Sequence, residues 1–96
     1  MIENFLFCLR NSIPVRGTDT VQNGTYSFTI DTRFTNDCSC YETAIKDLDN
    51  EWIVVEHYSS PEEANEGHAK WVKYTSTSPM PALVDIFSNE IYIYSV

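Results

Sequence analysis

The sequence contains little glycine, with only Gly17, Gly24 and Gly67 among its 96 residues. Loops that cradle phosphate groups need glycines at fixed spacing, as in G-x-x-x-x-G-K or G-x-G-x-x-G. Neither pattern occurs in the chain. The sequence therefore argues against a nucleotide-binding loop, and we expect no cofactor.

Basic residues are also scarce, since six Lys and Arg face fourteen Asp and Glu and the net charge is -8. A strongly negative chain is repelled by nucleic-acid phosphates and by anionic lipid surfaces. We therefore expect no direct contact with nucleic acid or membrane. A partner protein with a basic surface is electrostatically favoured.

Long apolar runs are missing as well. No stretch approaches the roughly 18 apolar residues of a membrane span, and the first twelve residues, MIENFLFCLRNS, lack the basic and apolar regions of a signal peptide. The three cysteines are an odd number. We therefore expect a soluble intracellular protein with reduced thiols.

The residues that are present predict one α+β domain over 1–96, an antiparallel sheet of about five to seven strands packed with one helix at about 61–74. Apolar residues make up 43% of the chain, enough for one core. Three hairpins are predicted: Thr18–Gln22 with Thr25–Arg33 around Asn23-Gly24, Tyr41–Lys46 with Trp52–Tyr58 around Asp49-Asn50, and Leu83–Phe87 with Glu90–Tyr94. The apolar run Phe5–Arg10 fits either a buried strand or a helical turn.

The second hairpin has a predicted register. With Asp49-Asn50 at the loop centre, Ile45 lies opposite Val54 and Tyr41 opposite Tyr58. One face, expected to be buried, then holds Tyr41, Thr43, Ile45, Trp52, Val54 and Tyr58, with Glu56 as a misfit. The other face is mixed and includes Ile53 and Val55. A slip of one residue would exchange the two faces.

The helix has a clear start. Ser60 is the predicted N-cap, Pro61 the first helical residue, and Glu63 the partner that closes a capping box. Gly67 weakens a helix interior by about 1 kcal/mol, so we expect it to allow close approach to the sheet. The helix is predicted to end near Tyr74, with an inward stripe of Ala64, His68, Trp71 and Val72.

The whole net charge lies between Asp37 and Glu66, where nine acids accompany one base, Lys46. This predicts an acidic face, able to mimic nucleic acid, that binds a basic partner. Its candidate residues are Asp47, Asp49, Glu51, Glu56, Glu62, Glu63 and Glu66. The alternative is that these acids only provide solubility and complement the helix dipole.

The cysteines and histidines suggest a metal site only weakly. Cys38 and Cys40 are two residues apart, whereas structural zinc sites use C-x₂₋₄-C pairs and a second pair of ligands. We predict no metal, with Cys38, Cys40, His57 and His68 as the weak candidates. His68, on the apolar stripe, is expected to be a hydrogen-bonded core histidine. Neither a nucleophile with an oriented base nor a carboxylate pair can be identified, so the protein is predicted not to be an enzyme.

The last hairpin carries Tyr92 and Tyr94 in alternation with Ile91 and Ile93. If both tyrosines are exposed, they are candidate partner-binding residues, and the C-terminal edge strand could pair with another chain or with a second copy of the protein.

One segment resembles a known group of proteins. It contains Tyr41-Glu42-Thr43-Ala44, Trp52, Tyr58-Ser59-Ser60-x-Glu62-Glu63-Ala64 and Gly67-His68-x-x-Trp71-Val72. This pattern is similar to the YETM…W…YSxEEAxxGH hairpin-helix segment of small, mostly uncharacterised tailed-bacteriophage proteins, with Ala44 in place of the usual Met. The resemblance implies a phage origin and supplies no catalytic residues.

Two functions are expected from these observations. The first is an interaction protein in the host cytoplasm that inhibits a host or defence protein through its acidic face. The second is a virion or assembly component that packs through strand edges and aromatic hairpins.

Overall fold

The computed structural model describes residues 17–47 and 51–96. It confirms the α+β class, with an antiparallel sheet, an additional hairpin and a helix packed against the sheet. The strands are β1 (Thr18–Asn23), β2 (Tyr26–Thr35), β3 (Cys40–Lys46), β4 (Ile53–Tyr58), β5 (Ala82–Val84) and β6 (Ile91–Ile93), and the helix is α1 (Pro61–Thr77). The run Phe5–Arg10 lies outside the described residues, as do Cys8, Asp49 and Asn50.

Strands β1 to β4 form one sheet in chain order, and β5 pairs with β6 separately. The first hairpin occurs where expected, but its turn is shifted by one residue. Asn23 pairs with Tyr26, so Gly24 and Thr25 occupy the loop. Gly24 has a φ of 62°, and a two-residue turn with Gly at its first position accepts a positive φ without steric cost.

The second hairpin has the predicted pair Tyr41–Tyr58, but Ala44, not Ile45, lies opposite Val54. A bulge between Thr43 and Ala44 shifts the register. The extra residue, Val55, is buried together with Ile53, whereas Trp52 is 45% exposed. The prediction of a buried Trp52 and Val54 was therefore wrong.

The bulge also explains the misfit of Glu56. A bulge inserts one residue, so two consecutive side chains on the bulged strand can point to the same side. Val55 belongs to the core cluster, and the Glu56 carboxylate meets Lys70 and Trp71 of α1. Both side chains thus lie on the face of the sheet that the helix covers.

The helix begins as predicted. The Ser60 hydroxyl accepts a hydrogen bond from the Glu63 amide, and Pro61 follows the cap. The Glu63 carboxylate accepts from the amide and hydroxyl of Ser59, one residue before the partner of a regular capping box. Gly67 lies against Tyr58, and a Cβ there would collide with the phenol ring. The predicted close approach is confirmed.

The helix ends later than predicted, at Thr77 instead of near Tyr74. The Thr77 hydroxyl donates to the carbonyl of Lys73, and the Asn23 side chain donates to the carbonyls of Thr75 and Ser78 at 2.9 and 2.7 Å. The bond to Thr75 satisfies one of the last four helix carbonyls, which have no partner within the helix. Asn23, first predicted as a turn residue, therefore ties β1 to the end of α1.

The core lies between α1 and the sheet and extends to the last hairpin. Leu83 of β5 is fully buried, and Tyr94 is 5% exposed. The buried cluster contains Phe28, Ile30, Ile45, Ile53, Val55, Leu83 and Tyr94. Within the described residues, no helix has the length and apolarity that crossing a membrane requires.

Candidate functional site

An open groove of about 740 Å³ lies between the start of β4 and the loop of the β5–β6 hairpin. Three carboxylates and three aromatic rings line it, together with Val54 and Ser88. We call it the hairpin groove; its charged and aromatic residues are Glu51, Asp85, Glu90, Trp52, Phe87 and Tyr92.

The loop between β5 and β6, which borders this groove, is held in place by hydrogen bonds within the loop and to β4. Oδ1 of Asp85 accepts from the amides of Phe87 and Ser88 at 2.8 and 3.1 Å, a bonding pattern in which an Asp side chain stabilises a turn. Asn89 adopts a φ of 65°, as its residue type tolerates. The Ile86 amide donates to the carbonyl of Val54 at 2.9 Å, which attaches the loop to β4.

The groove has a negative electrostatic character. The Tyr92 hydroxyl donates to Oε1 of Glu90 at 2.8 Å. This bond raises the pKa of Tyr92, partial burial adds to the rise, and the charges of Glu90, Asp85 and Glu51 raise it further. Among the described residues, no Lys or Arg lines the groove. Nζ of Lys46 lies 4.9 Å from the Trp52 ring centre.

The rings of the groove are unusually accessible. Phe87 is 69% exposed and Trp52 is 45% exposed. Large aromatic side chains are the residues that dominate the energetics of protein interfaces. Exposed rings next to carboxylates can contact both the apolar stem and the charged end of Lys or Arg.

A second acidic groove, of about 360 Å³, lies between β4 and α1. We call it the helix groove; it is lined by Glu56, His57, Tyr58, Glu63, Glu66, Gly67 and Lys70. Oε1 of Glu56 accepts from Lys70 at 2.6 Å, from Trp71 at 2.8 Å and from Tyr58 at 3.1 Å. Its carboxylate is thus bonded within the protein.

These contacts shift the pKa values of Glu56 and Tyr58 in opposite directions. Burial raises the pKa of Glu56, but the hydrogen bonds from Lys70 and Trp71 and the charge of Lys70 outweigh burial, so the pKa falls below 4.5. The pKa of Tyr58 rises to about 12, mainly because burial disfavours the phenolate. The negative charge of Glu56 adds to that rise.

The predicted acidic face is therefore divided. Glu51 lies in the hairpin groove, whereas Glu56, Glu63 and Glu66 lie in the helix groove. Glu62 is exposed in the first turn of α1. Asp47, directly after β3, is half-buried, and Asp49 lies outside the described residues. The two grooves share no lining residue.

The two C-terminal tyrosines, both predicted as partner-binding residues, lie in different places. Tyr92 reaches the hairpin groove, but Tyr94 is buried, with its ring packed edge-on against Phe28 and Tyr26 at 5.0 and 5.1 Å. Tyr94 is therefore a core residue and not a surface contact. The outward face of the hairpin carries Ile91 and Ile93, which are 62% and 61% exposed.

A chain of polar side chains crosses the interface between α1 and the sheet. His68 is fully buried, as predicted. Its Nε2 lies 2.7 Å from Oδ2 of Asp19, and its Nδ1 lies 2.7 Å from Oγ1 of Thr32. Further bonds continue the chain to the helix groove, in the order Asp19, His68, Thr32, Thr43, Tyr58 and Glu56.

Five contacts join these six side chains. The chain therefore links the Asp19 carboxylate on β1 to the Glu56 carboxylate in the helix groove through three hydroxyls and one imidazole.

The weak metal candidates separate into two groups. Ligand atoms of Cys38, Cys40 and His57 lie within 4.8 Å of one another, whereas both ring nitrogens of His68 are used in the core. The two cysteines are joined in a disulfide, so the expectation of reduced thiols does not hold for this pair. Ser39 between them has a φ of 51°, which reverses the chain locally.

Several residues of the hairpin groove were not among the predicted site residues. Asp85, Phe87 and Glu90 lie outside the acidic run, in a part of the chain with no net charge. Their signal in the sequence is the short segment Asp85–Glu90, which places acids on both sides of an exposed Phe. Trp52 was assigned to the core because the bulge in β4 was not anticipated.

No family model matches the chain, and no curated protein or solved structure matches it.

Proposed function

We propose that this protein acts without catalysis, by binding a protein with a basic surface through the hairpin groove. The proposal rests on the grouping of three carboxylates with Trp52, Phe87 and Tyr92 in a groove whose lining, over the described residues, includes no Lys or Arg. Interfaces are anchored by such aromatic residues, and complementary charge speeds the encounter of the two partners.

The groove suits a partner segment that carries Lys or Arg beside apolar side chains. The Trp52 ring already has Nζ of Lys46 4.9 Å from its centre, so the ring offered to a partner's cation is Phe87. A guanidinium or ammonium group over its face would gain about 0.5–2 kcal/mol, depending on its exposure to solvent. Glu51 and Glu90 would bind the same cation through charge-assisted hydrogen bonds. Arg is the better match because its flat guanidinium stacks on rings and bonds to carboxylates at the same time.

The biological role that we propose is inhibition of a host or defence protein. This role rests on the phage origin that the resemblance over residues 41–72 implies, and on the net charge of -8. A basic surface that normally holds nucleic acid would be covered by the acidic groove. Salt weakens such an association because it screens exposed charges.

The test is affinity capture from a bacterial host lysate at low and high salt, with matched variants. The test variant combines Glu51→Gln, Asp85→Asn and Glu90→Gln. The control combines Asp37→Asn, Glu62→Gln and Glu66→Gln, which removes the same charge from exposed residues outside the hairpin groove. We expect a basic protein to be retained by the wild type and the control at low salt and lost by the test variant.

A second variant, Trp52→Ala with Phe87→Ala, tests the aromatic contribution. We expect it to lose the same protein, with affinity reduced by at least tenfold. Equal loss in the test and control charge variants would show that total charge, and not the hairpin groove, determines binding. Retention by the Trp52 and Phe87 variant would contradict the proposed site.

A second candidate function is assembly with copies of the same chain, as in a virion component. The observation that favours it is the outer face of the β5–β6 hairpin, where Val84, Ile91 and Ile93 are 42%, 62% and 61% exposed. Cross-strand pairing places Val84 beside Ile91, so the three side chains form one apolar strip on a short hairpin. Such strips mark interaction sites.

Sedimentation velocity over a range of protein concentrations tests this candidate. Assembly predicts a concentration-dependent increase in mass, which Ile91→Thr with Ile93→Thr abolishes. Threonine keeps the β-branched shape that suits a strand, so the hairpin should persist. A monomer at all concentrations would exclude self-assembly through this strip.

A further inference from the structure

The disulfide pair Cys38–Cys40 and the side chain of His57 meet at one end of the sheet. Cys38 belongs to the turn between β2 and β3, Cys40 begins β3, and His57 lies near the end of β4. Pairing of Glu42 with His57 brings the two strand ends together. Their ligand atoms lie within 4.8 Å of one another.

The geometry is close to that of a metal site. Ligands around tetrahedral zinc lie about 3.5–3.8 Å apart, as follows from metal–ligand distances of about 2.3 Å for sulfur and 2.0 Å for nitrogen. The Cα atoms of Cys38 and Cys40 are 5.2 Å apart. Side-chain rotations of the two cysteines are therefore enough to bring both sulfurs to one ion.

His57 is oriented as metal-binding histidines are. Its Nε2 lies 3.1 Å from Oε1 of Glu42, and its ring contacts the Phe87 ring at 5.5 Å between centres. A histidine that donates one N–H to a carboxylate presents the other nitrogen, here Nδ1, as a ligand. Because Nε2 is the nitrogen beside Glu42, Nδ1 is the nitrogen that remains for a ligand.

We propose that Cys38, Cys40 and Nδ1 of His57 form a redox-controlled site for a divalent zinc-like cation, which the disulfide form cannot bind. Thiolates are the metal ligands, so the disulfide must first be reduced. Two molecules of a low-molecular-weight thiol such as glutathione supply the electrons. They are oxidised to one disulfide, and Cys38 and Cys40 become thiols. Binding of Zn²⁺ then releases two protons as the two thiols become thiolates.

Three protein ligands leave one tetrahedral position for water or an added ligand. The three side chains border an open groove, whose lining also includes Tyr58, Ser59 and Glu63. Cys38 is exposed and His57 has 30% of its side chain accessible. Both a thiol reductant and the metal ion can therefore reach the site from solvent.

The experiment is a titration with Co²⁺ and then Zn²⁺ on the full chain with Cys8→Ser, which removes the third thiol. The protein is compared in its disulfide form and after reduction by a phosphine that is then removed without air. We expect the reduced form to bind about one equivalent of Co²⁺ with the absorption bands of tetrahedral thiolate coordination, and Zn²⁺ to displace it. The disulfide form should bind less than about a tenth of an equivalent.

Variants identify the ligands. Cys38→Ser, Cys40→Ser and His57→Gln should each lower the affinity of the reduced protein at least about 100-fold, and Glu42→Gln about tenfold, as removal of a partner that orients a ligand does. Asn36→Ala, at an exposed position of the same turn that does not line the groove, is the control and should bind like the parent. Circular dichroism of every variant checks that the fold is retained.

Three results would overturn the assignment. The first is equal metal binding by the disulfide and reduced forms. The second is unchanged affinity in His57→Gln, and the third is the absence of metal binding in the reduced Cys8→Ser protein. None of these measurements depends on a partner protein, so the metal site and the proposed protein-binding function succeed or fail separately.

Discussion

The helix groove and the hairpin groove both place carboxylates beside aromatic rings, but they use them differently. Oε1 of Glu56 accepts hydrogen bonds from Lys70, Trp71 and Tyr58. In the hairpin groove, the carboxylates of Asp85 and Glu90 bond to loop amides and to a tyrosine hydroxyl, and no cation of the described chain forms an ion pair with them. A carboxylate that is neutralised internally stabilises the fold, whereas one that has no internal cation is available to a basic partner.

A run of acidic residues along a sequence does not by itself locate a binding surface. The run from Asp37 to Glu66 holds the whole net charge, yet several of its acids are engaged by helix caps, His57 or Lys70. The surface with accessible charge is assembled from Glu51 and from two acids outside the run. We therefore expect substitutions in the two regions to separate stability from binding.

The largest loss of folding stability is expected from His68→Leu. The change removes the fully buried imidazole at the centre of the polar chain, so Thr32 loses a buried hydrogen bond and Asp19 loses its bond to Nε2. The free energy of unfolding should fall by about 3 kcal/mol. Urea denaturation measures it. His57→Leu, at a half-exposed histidine, is the control and should cost less than about 1 kcal/mol in metal-free buffer. Equal costs for the two variants would show that the polar chain does not stabilise the fold.

The second largest loss of folding stability is expected from Gly67→Ala. Alanine improves helix propensity by about 1 kcal/mol, but its Cβ would collide with the ring of Tyr58, and overpacking costs about 1–3 kcal/mol or more. We expect net destabilisation, seen as a lower midpoint in urea. Gly17→Ala is the control because, apart from its chain neighbours, no atom of the described residues lies within 4 Å of the added Cβ. A more stable Gly67→Ala protein would mean that α1 can move away from β4.

A smaller effect should appear in the pH dependence of stability. The pKa of Tyr58 is raised to about 12 from 10.0, so its contribution is complete below pH 10 and is lost as the pH rises toward 12. The pKa of Glu56 is lowered below 4.5, so its contribution is present above that pH and is lost on acidification. Tyr58→Phe should flatten the alkaline side of the profile and Glu56→Gln the acid side. Profiles that keep the wild-type slopes in both variants would contradict the assigned pKa shifts.

The smallest stability effect is expected in the hairpin groove. Asp85→Asn and Glu90→Gln keep an oxygen that accepts the present hydrogen bonds, so the free energy of unfolding should stay within about 0.5 kcal/mol of the wild type. Glu90→Gln should also lower the pKa of Tyr92, which ultraviolet titration detects, because its hydroxyl then bonds to a neutral amide. A loss of stability as large as that of His68→Leu would make this groove structural and remove the contrast between the two regions.

Much of the fold could be predicted because its signals are local. The start of α1 follows from Ser60 and Pro61, and the first hairpin follows from the Asn23-Gly24 signal between alternating segments, even though the turn itself is shifted by one residue. The close approach at Gly67 was predictable because glycine weakens a helix interior, so we expect it there where a neighbouring element packs too closely for a side chain. These features depend on residues within a few positions of one another, where backbone preference and side-chain capping act directly.

The candidate sites were less predictable because they depend on distant parts of the chain. The bulge in β4 reverses the expected positions of Trp52 and Val55, and a bulge has no strong sequence signal. Burial of Tyr94 depends on Phe28, far away in β2, and the Cys38, Cys40 and His57 cluster depends on the pairing of β3 with β4. A strand with apolar residues on both faces does not specify which face is buried.

Local signals in the sequence are enough to specify an excess of acid, an antiparallel sheet with a capped helix, and a histidine on the helix face that enters the core. Which acids are neutralised within the protein, and which remain accessible at the surface, depends on contacts between elements that are distant in the chain. The difference lies in the distance over which each interaction acts. Caps, turns and periodicity act between near neighbours, whereas the partner of a carboxylate or a ring is set by the strand register and by the element that packs across it.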